Sequence, residues 1–289
     1  MTELCLGTVQ FGMNYGVQGN EQPDLSKAVE ILNAAYNAKI RTYDTASAYG
    51  TAEVVLNAFL SQSLIKREQV RIISKTKSSG EKVHNYIFEC LTELGVKYLD
   101  GYLLHDANLI FNENAVNNLI HLKETGFAKE IGASLYTPEQ ALKALDYDFI
   151  DIIQIPYNVL DRRLDKCNFF EKAAEIGISV YARSVLLQGL LMMNPQTLPP
   201  NMKFAEPYVR EFQNLCTKNN IGFLEGAVYF VLNHEYIDYL VFGVDNLTQL
   251  NEYISLYQNS KTIQTDDIFS SAFSEVNERV IMPNIWNSQ

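Results

Sequence analysis

The sequence lacks the features expected of a membrane, exported or nucleic-acid-binding protein. No apolar stretch approaches the roughly 20 residues that a membrane helix needs, and no basic residue precedes Lys27, so no secretory leader is indicated. Only 23 basic residues stand against 34 acidic ones, and the net charge of −11 repels phosphate backbones and anionic lipid headgroups. We therefore expect a cytoplasmic protein that binds neither nucleic acid nor membranes.

Cysteine and histidine are too few and too scattered to indicate a metal site. The 4 histidines never occur as H-x-x-x-H, and the 4 cysteines form no C-x-x-C pair. A chain of this size needs no disulfides, so we expect unpaired thiols in a reducing compartment and no bound metal. The cysteines are Cys5, Cys90, Cys167 and Cys216.

Strand and helix patterns alternate along the whole chain of 289 residues. Strand patterns cover residues 4–7, 40–44, 70–74, 98–104, 129–133, 152–155, 178–181 and 239–242. Helical patterns cover residues 29–36, 52–60, 83–94, 115–122, 207–218, 223–232 and 247–257, and another begins at Thr137-Pro138. Because no linker or composition shift interrupts the alternation, residues 1–289 are predicted to form a single (β/α)8 TIM barrel domain. An open doubly wound sheet is the alternative.

Polar residues end three successive strands of the predicted barrel. Asp44, Lys75 and His105 end the second, third and fourth strands, and Tyr49 follows Asp44 closely. The active sites of such barrels lie at the carboxyl ends of the strands, so the four side chains are expected to converge. A single polar residue at the end of a strand often marks only the start of a loop, but four chemically complementary groups favour an active site.

This combination of groups suits an acid that protonates a carbonyl oxygen. A phenol is too weakly acidic at neutral pH, but the Lys75 ammonium beside Tyr49 would lower the phenol pKa. Asp44 would hold the ammonium in its charged form, and His105 could donate a hydrogen bond to the substrate oxygen.

The same residues resemble the signature of the aldo-keto reductases. Residues 42–50 are similar to the D-T-A-x-x-Y-G motif of that family, and Ser74-Lys75 and Leu104-His105 fall where it carries its other catalytic residues. Residues 129–134, 154–158 and 243–250 extend the resemblance over nearly the whole chain. The resemblance implies reduction of an aldehyde, ketone or sugar by a nicotinamide cofactor, with Tyr49 as general acid.

The resemblance also implies a cofactor bound in extended form across the barrel rim, and the absence of G-x-G-x-x-G argues against a Rossmann site. Ser134 and Gln154 would hold the nicotinamide carboxamide. Tyr181 would stack on its ring, although a core aromatic is the alternative reading. The remaining implied cofactor positions are Gly7, Thr8, Ser184, Leu186, Gln188, Gly189, Gly243, Val244, Asp245, Asn246, Gln249 and Glu252.

The sequence departs from the family at the adenosine end. Gly243 and Gln249 stand where Lys and Arg commonly meet the 2′-phosphate, and the acidic Asp245 lies between them. The resemblance implies NADP as the cofactor, and these departures make NAD possible. Arg183 adds a positive charge near the cofactor loop.

Two other functions remain open at this point. One is a nicotinamide-binding regulatory subunit with little turnover, and the other is a lyase or isomerase in which Lys75 forms a Schiff base.

Substrate specificity is expected to depend on loops 107–112, 157–166 and 192–204 and on residues 262–289. The polar Gln10, Asn14, Asp106 and Asn108 hint at a sugar, and a monomer or simple dimer is expected.

Overall fold

The computed structural model describes residues 2–17, 21–76, 83–259, 265–269 and 272–286. Eight parallel strands pair in chain order, and the eighth pairs with the first to close a barrel. The predicted (β/α)8 fold is thereby confirmed. The strands are β1 (Glu3–Gly7), β2 (Thr42–Asp44), β3 (Arg71–Thr76), β4 (Leu99–Leu104), β5 (Ala128–Ser134), β6 (Ile152–Pro156), β7 (Ser179–Arg183) and β8 (Tyr239–Phe242).

Helices follow the strands around the barrel. The helices are α1 (Val9–Gly12), α2 (Leu25–Asn37), α3 (Ala52–Leu60), α4 (Val83–Leu94), α5 (Glu113–Glu124), α6 (Pro138–Ala144), α7 (Phe169–Glu175), α8 (Glu206–Lys218), α9 (Phe223–Leu232), α10 (Leu247–Asn259), α11 (Asp266–Phe269) and α12 (Glu278–Ile281). The patterns at residues 52–60, 83–94 and 223–232 predicted α3, α4 and α9 with their observed bounds. The sequence did not predict α7, because its 7 residues are too few for a helical period to stand out.

Several helices begin where a side chain accepts a hydrogen bond from an otherwise unpaired backbone N–H. Asp24 accepts from Lys27 N at the start of α2, and Asn112 accepts from Ala115 N at the start of α5. At the start of α6, the Thr137 hydroxyl and the Gln140 amide form a reciprocal capping box. Short polar side chains therefore fix where the chain turns from loop into helix.

The barrel interior is filled in layers, because alternate residues of a strand point to the same face. One inward-facing layer consists of Cys5, Ile73, Leu103, Ile152, Tyr181 and Val241. The residue two positions further along each strand points the same way but lies nearer the carboxyl end. Lys75, His105, Gln154, Arg183 and Gly243 hold these positions. The strand period thus brings titratable and polar groups to one mouth of the barrel.

An aromatic and ionic plug closes the amino-terminal end of the barrel. The rings of Tyr181 and Tyr239 stack with their centroids 4.2 Å apart. Arg71 donates from Nε to the Tyr181 hydroxyl at 3.1 Å, and its guanidinium also pairs with Glu130. The barrel therefore opens to solvent at its carboxyl-terminal mouth.

The four cysteines are unpaired, and three of them are buried. Burial raises the pKa of the Cys216 thiol to about 12, so this group stays protonated and unreactive at neutral pH. Within the described ranges, no helix combines the length and the apolar character required to cross a bilayer.

Candidate active site

The four predicted catalytic side chains meet at the mouth of the barrel. Asp44 ends β2, Lys75 lies one residue before the end of β3, and His105 follows β4 directly. Tyr49 lies in the turn that leads into α3. Its carbonyl oxygen packs closely on α1, where a Cβ added to Gly12 would lie only 1.7 Å away. Glycine at that position therefore allows the turn that carries Tyr49 to approach the barrel.

A buried ion pair forms the centre of the site. The Lys75 ammonium donates to the two Asp44 carboxylate oxygens at 2.8 and 2.7 Å, and to the Thr45 carbonyl oxygen at 2.9 Å. Burial alone lowers the pKa of Lys75, but the Asp44 charge and the Tyr49 oxygen outweigh this effect, so the pKa is raised. The ammonium therefore remains charged although it is fully buried.

The Tyr49 hydroxyl accepts a hydrogen bond from the Lys75 ammonium at 3.3 Å. Burial raises the pKa of the Tyr49 phenol above its ordinary value, and the Lys75 charge opposes this increase without reversing it. The sequence led us to expect a lowered pKa, and the structure differs because desolvation of the phenolate is the larger effect. The ring of His105 meets Tyr49 edge-on, with centroids 5.7 Å apart.

A chain of hydrogen bonds connects Asp44 to the far side of the barrel mouth. Gln154 donates from Nε2 to Asp44 Oδ1 at 2.8 Å and accepts at Oε1 from the Ser134 hydroxyl at 3.3 Å. Arg183 in turn donates from Nε to the Ser134 hydroxyl at 3.3 Å. Asp44 therefore receives hydrogen bonds from two directions, and its carboxylate is fixed by both Lys75 and Gln154.

A cleft of about 560 Å³ opens above these groups. Asp44, Tyr49 and His105 line one end of it, and the loop between β8 and α10 together with the first turns of α10 lines the other. Most of the cofactor positions implied by the resemblance face this cleft. They are Gly7, Thr8, Ser134, Ser184, Leu186, Gln188, Gly189, Gly243, Asp245, Gln249 and Glu252.

Four of the implied cofactor positions do not line the cleft. Gln154 is fully buried beneath it, where its amide contacts Asp44 and Ser134 as described above. Val244 is buried as well, and the Asn246 side chain accepts a hydrogen bond from Gln249 N at 3.0 Å in the first turn of α10. The fourth is Tyr181.

The structure does not place Tyr181 where the resemblance implied. The strand was expected to end at this residue, but β7 continues to Arg183, so Tyr181 lies one layer deeper in the barrel. Its ring is fully buried and already stacked on Tyr239. It is therefore a core residue that cannot stack on a ring in the cleft, and Arg183 holds the corresponding position at the mouth.

Two aromatic cleft residues carried no functional assignment in the sequence, and Gln10 was considered only as a hint at a sugar substrate. Tyr15 and Tyr136 line the reacting end. Tyr136 closely follows the end of β5, whereas Tyr15 lies beyond α1, so no strand end marks it in the sequence. Gln10 fills the space beside Gly243, where an added Cβ would lie 2.2 Å from Gln10 Oε1. This buried oxygen has no hydrogen-bond partner among the described residues. It is therefore a candidate contact for a ligand.

Comparison with known proteins gives a consistent match. The model of the aldo/keto reductase family matches residues 3–269. The NADH-specific methylglyoxal reductase of Escherichia coli (strain K12) is 28% identical over 218 residues, which cover 66% of this chain and 65%, just under two thirds, of that protein. An aldo-keto reductase of Mycolicibacterium paratuberculosis (strain ATCC BAA-968 / K-10) is 25% identical over 81% of this chain and 84% of its own length. The fold is shared with the holo form of an aldo-keto reductase from Bacillus halodurans, with a TM-score of 0.75 at 20% identity over 97% of this chain and 95% of that one.

The position of Tyr181 predicts that its ring matters for stability and not for cofactor binding. Tyr181→Leu removes the stack on Tyr239 and leaves a cavity, so the free energy of unfolding should fall by roughly 2–4 kcal/mol. The dissociation constant of NADH, measured by fluorescence, should stay within about twofold, because Tyr181 does not line the cleft. The measurement is sensitive, since losing only about 1.4 kcal/mol of contact would change the constant tenfold. Tyr239→Leu should likewise lower the free energy of unfolding and leave the NADH dissociation constant nearly unchanged. A tenfold weaker NADH complex at an unchanged thermal midpoint would contradict this assignment.

The buried ion pair predicts strong coupling between its two members. Lys75→Met leaves the Asp44 carboxylate buried without its ammonium, so the free energy of unfolding should fall by about 3–5 kcal/mol. Adding Asp44→Asn removes the unpaired charge, and the double variant should be less destabilised than the sum of the two single variants. Denaturant unfolding of all four forms of the cycle measures the coupling. Additive losses would mean that the two groups do not act as a pair.

Proposed function

Because the chain belongs to the aldo/keto reductase family, we propose that it reduces the carbonyl group of a small molecule to an alcohol, with Tyr49 as the general acid. Members of this family are oxidoreductases that use a nicotinamide cofactor. The observation that carries the assignment of Tyr49 is the 3.3 Å contact between its hydroxyl and the Lys75 ammonium at the end of the cleft. The nicotinamide supplies a hydride to the carbonyl carbon when it is bound.

The roles of the surrounding side chains follow from their contacts. The raised pKa of Tyr49 keeps its proton in place at neutral pH until a carbonyl oxygen beside it gains negative charge. The Lys75 ammonium then stabilises the phenolate that forms, and Asp44 keeps the ammonium charged and oriented. His105 lies beside Tyr49 and is suited to orient the carbonyl oxygen by a hydrogen bond. A Schiff base on Lys75 is not supported, because that amine stays protonated and is fully buried.

Removal of the Tyr49 hydroxyl tests the proposed acid. Tyr49→Phe should lower kcat for a generic aldehyde by at least roughly 100-fold, because the developing alkoxide loses its proton donor. Tyr43→Phe is the matched control, since the Tyr43 hydroxyl donates to the Ile40 carbonyl oxygen in the core and should leave kcat unchanged. Equal turnover by Tyr49→Phe would remove Tyr49 from the mechanism. Tight cofactor binding by the wild-type protein without turnover would favour a regulatory subunit.

The cleft has features that suit an extended dinucleotide. Chemistry at Tyr49 requires the nicotinamide at that end, so the adenosine portion belongs at the other end, beside α10. The lack of a side chain at Gly243 lets the Gln10 amide pack against it, and Gln10 Oε1 is a buried acceptor with no partner among the described residues. The residues present therefore fit the cofactor, and they supply an acceptor for a hydroxyl or amine at that point.

We propose NADH rather than NADPH as the preferred donor, although the family resemblance favours NADP. Asp245 and Glu252 place two carboxylates at the adenosine end of the cleft. The Asp245 carboxylate is held by Gln249, whose side chain also accepts from the Asp245 backbone N–H at 2.7 Å. No Lys or Arg among the described residues lines that end. Carboxylates repel a 2′-phosphate but can accept hydrogen bonds from a free ribose hydroxyl. The similar Escherichia coli protein is named as NADH-specific.

Direct binding measurements test this cofactor preference without catalysis. By fluorescence titration, NADH should bind at least about tenfold more tightly than NADPH, because like charges in contact cost several kcal/mol. Asp245→Asn removes one negative charge with little change of shape, so it should narrow the ratio of the two dissociation constants severalfold. Glu235→Gln makes the same change of charge on an exposed residue outside the cleft and should leave the ratio unaltered. A ratio that favours NADPH would reverse the assignment.

The substrate end of the cleft is polar and aromatic. It is lined by Tyr15, Tyr136, His105 and Arg183, and this lining suits a hydroxylated carbonyl compound such as a sugar.

The proposed compartment is the cytoplasm, because all four thiols remain unpaired.

A further inference from the structure

Arg183 is a half-buried cation at the mouth of the barrel whose partners are all neutral. Its guanidinium donates to the Ser134 hydroxyl at 3.3 Å, the Ser184 hydroxyl at 3.3 Å and the Leu135 carbonyl oxygen at 3.0 Å. It also lies over the Tyr136 ring at 4.3 Å. Among the described residues, no carboxylate forms an ion pair with it, although its charge acts to lower the pKa of the buried Asp161, which is itself paired with Arg163.

Some other half-buried guanidinium groups are paired with carboxylates, whereas Arg41 and Arg279 lie over the rings of Tyr36 and Phe204 and form no ion pair with a carboxylate among the described residues. Arg67 pairs with Asp100 at 2.8 Å, and Arg163 pairs with Asp161 at 2.8 Å. Acidic side chains are abundant in a chain of net charge −11, so a partner for Arg183 would have been easy to supply. A partly desolvated charge without a counter-ion is costly unless a ligand provides one. Unlike Arg41 and Arg279, Arg183 lines the cleft, so it has the properties expected of an anion-binding residue.

The location of Arg183 indicates which ligand carries the anion. The guanidinium contacts Ser134, and the hydrogen-bond chain described above leads from there through Gln154 to Asp44. Burial raises the pKa of Tyr49, and the Arg183 charge acts to lower it, as expected for a cation near the reacting end. The negative charge of Asp44 is already balanced by Lys75. The reacting end thus carries an excess positive charge, whereas the adenosine end carries carboxylates.

We propose that Arg183 binds an anionic group of the substrate, so that the preferred substrate is a small aldehyde or ketone that also carries a carboxylate or phosphate. This inference rests on the proposed carbonyl reduction. Three neutral acceptors fix the plane of the guanidinium, and its remaining N–H groups are available to an anion in the cleft. The guanidinium would hold the substrate by its charged group while Tyr49 acts on the carbonyl oxygen.

Matched pairs of substrates that differ in one anionic group provide the test. With NADH as donor, kcat/KM for 4-oxobutanoate should exceed that for butanal by at least about tenfold, and a glyceraldehyde 3-phosphate and glyceraldehyde pair extends the test to phosphate. In Arg183→Met, the ratio of kcat/KM for the anionic member to that for the neutral member should fall close to one. Arg183→Lys should keep part of the wild-type ratio. Arg210→Met removes an equal charge from a surface pair with Glu206 outside the cleft, so the preference for the anionic member should persist.

Other outcomes separate this inference from the proposed function. Equal rates with charged and neutral members in the wild-type enzyme would overturn the inference but leave carbonyl reduction intact. Weaker NADH binding by Arg183→Met, with both members slowed alike, would assign the guanidinium to the cofactor pyrophosphate and also overturn it. Absence of any carbonyl reduction would defeat the proposed function. In that case, the thermal midpoint of unfolding still tests the anion site. A midpoint that rises when 4-oxobutanoate is added to the wild-type protein, but not to Arg183→Met, would support the site. An unchanged midpoint in the wild-type protein would refute the site.

Discussion

The ion pair between Lys75 and Asp44 is the constraint on which the rest of the site depends. Both groups are withdrawn from water, and such a pair is stable only when its hydrogen bonds are satisfied. Thr45 and Tyr49 complete the surroundings of the ammonium, and Gln154 contacts the carboxylate. Tyr49 is therefore held beside a permanent positive charge by groups from several strands. These groups come from β2, β3, β6 and the turn before α3, so the arrangement depends on how the barrel brings these segments together.

The fold was predictable because its signals are local and repeated. Continuous apolar strands such as β8 alternate with helices whose buried faces recur every three or four residues, and this alternation indicates a parallel barrel. The start of α6 could be read from Thr137 and Pro138. The pattern failed for α7, which has only two turns and begins after Asn168 in the left-handed region at φ 52°. Tertiary packing of Phe169 and Phe170 determines that helix.

The site was predictable where a chemical group ends a strand, and not where depth within the barrel decides its role. Asp44, Lys75 and His105 lie together as expected, because each is near the carboxyl end of its strand. For β7, an error of two residues in the predicted strand end moved Tyr181 from the core to the mouth. The link from Gln154 to Asp44 spans 110 positions in the chain, and no local pattern could have revealed it.

The plug of Tyr181, Tyr239 and Arg71 also has a kinetic consequence. It blocks one end of the barrel, so among the described residues the cleft at the carboxyl-terminal mouth is the route by which a molecule reaches and leaves Tyr49. Two ligands that share one entrance hinder each other when the second covers the first. A shared opening therefore favours an ordered sequence of binding and release, and ligand release can limit turnover even when the chemical step is fast.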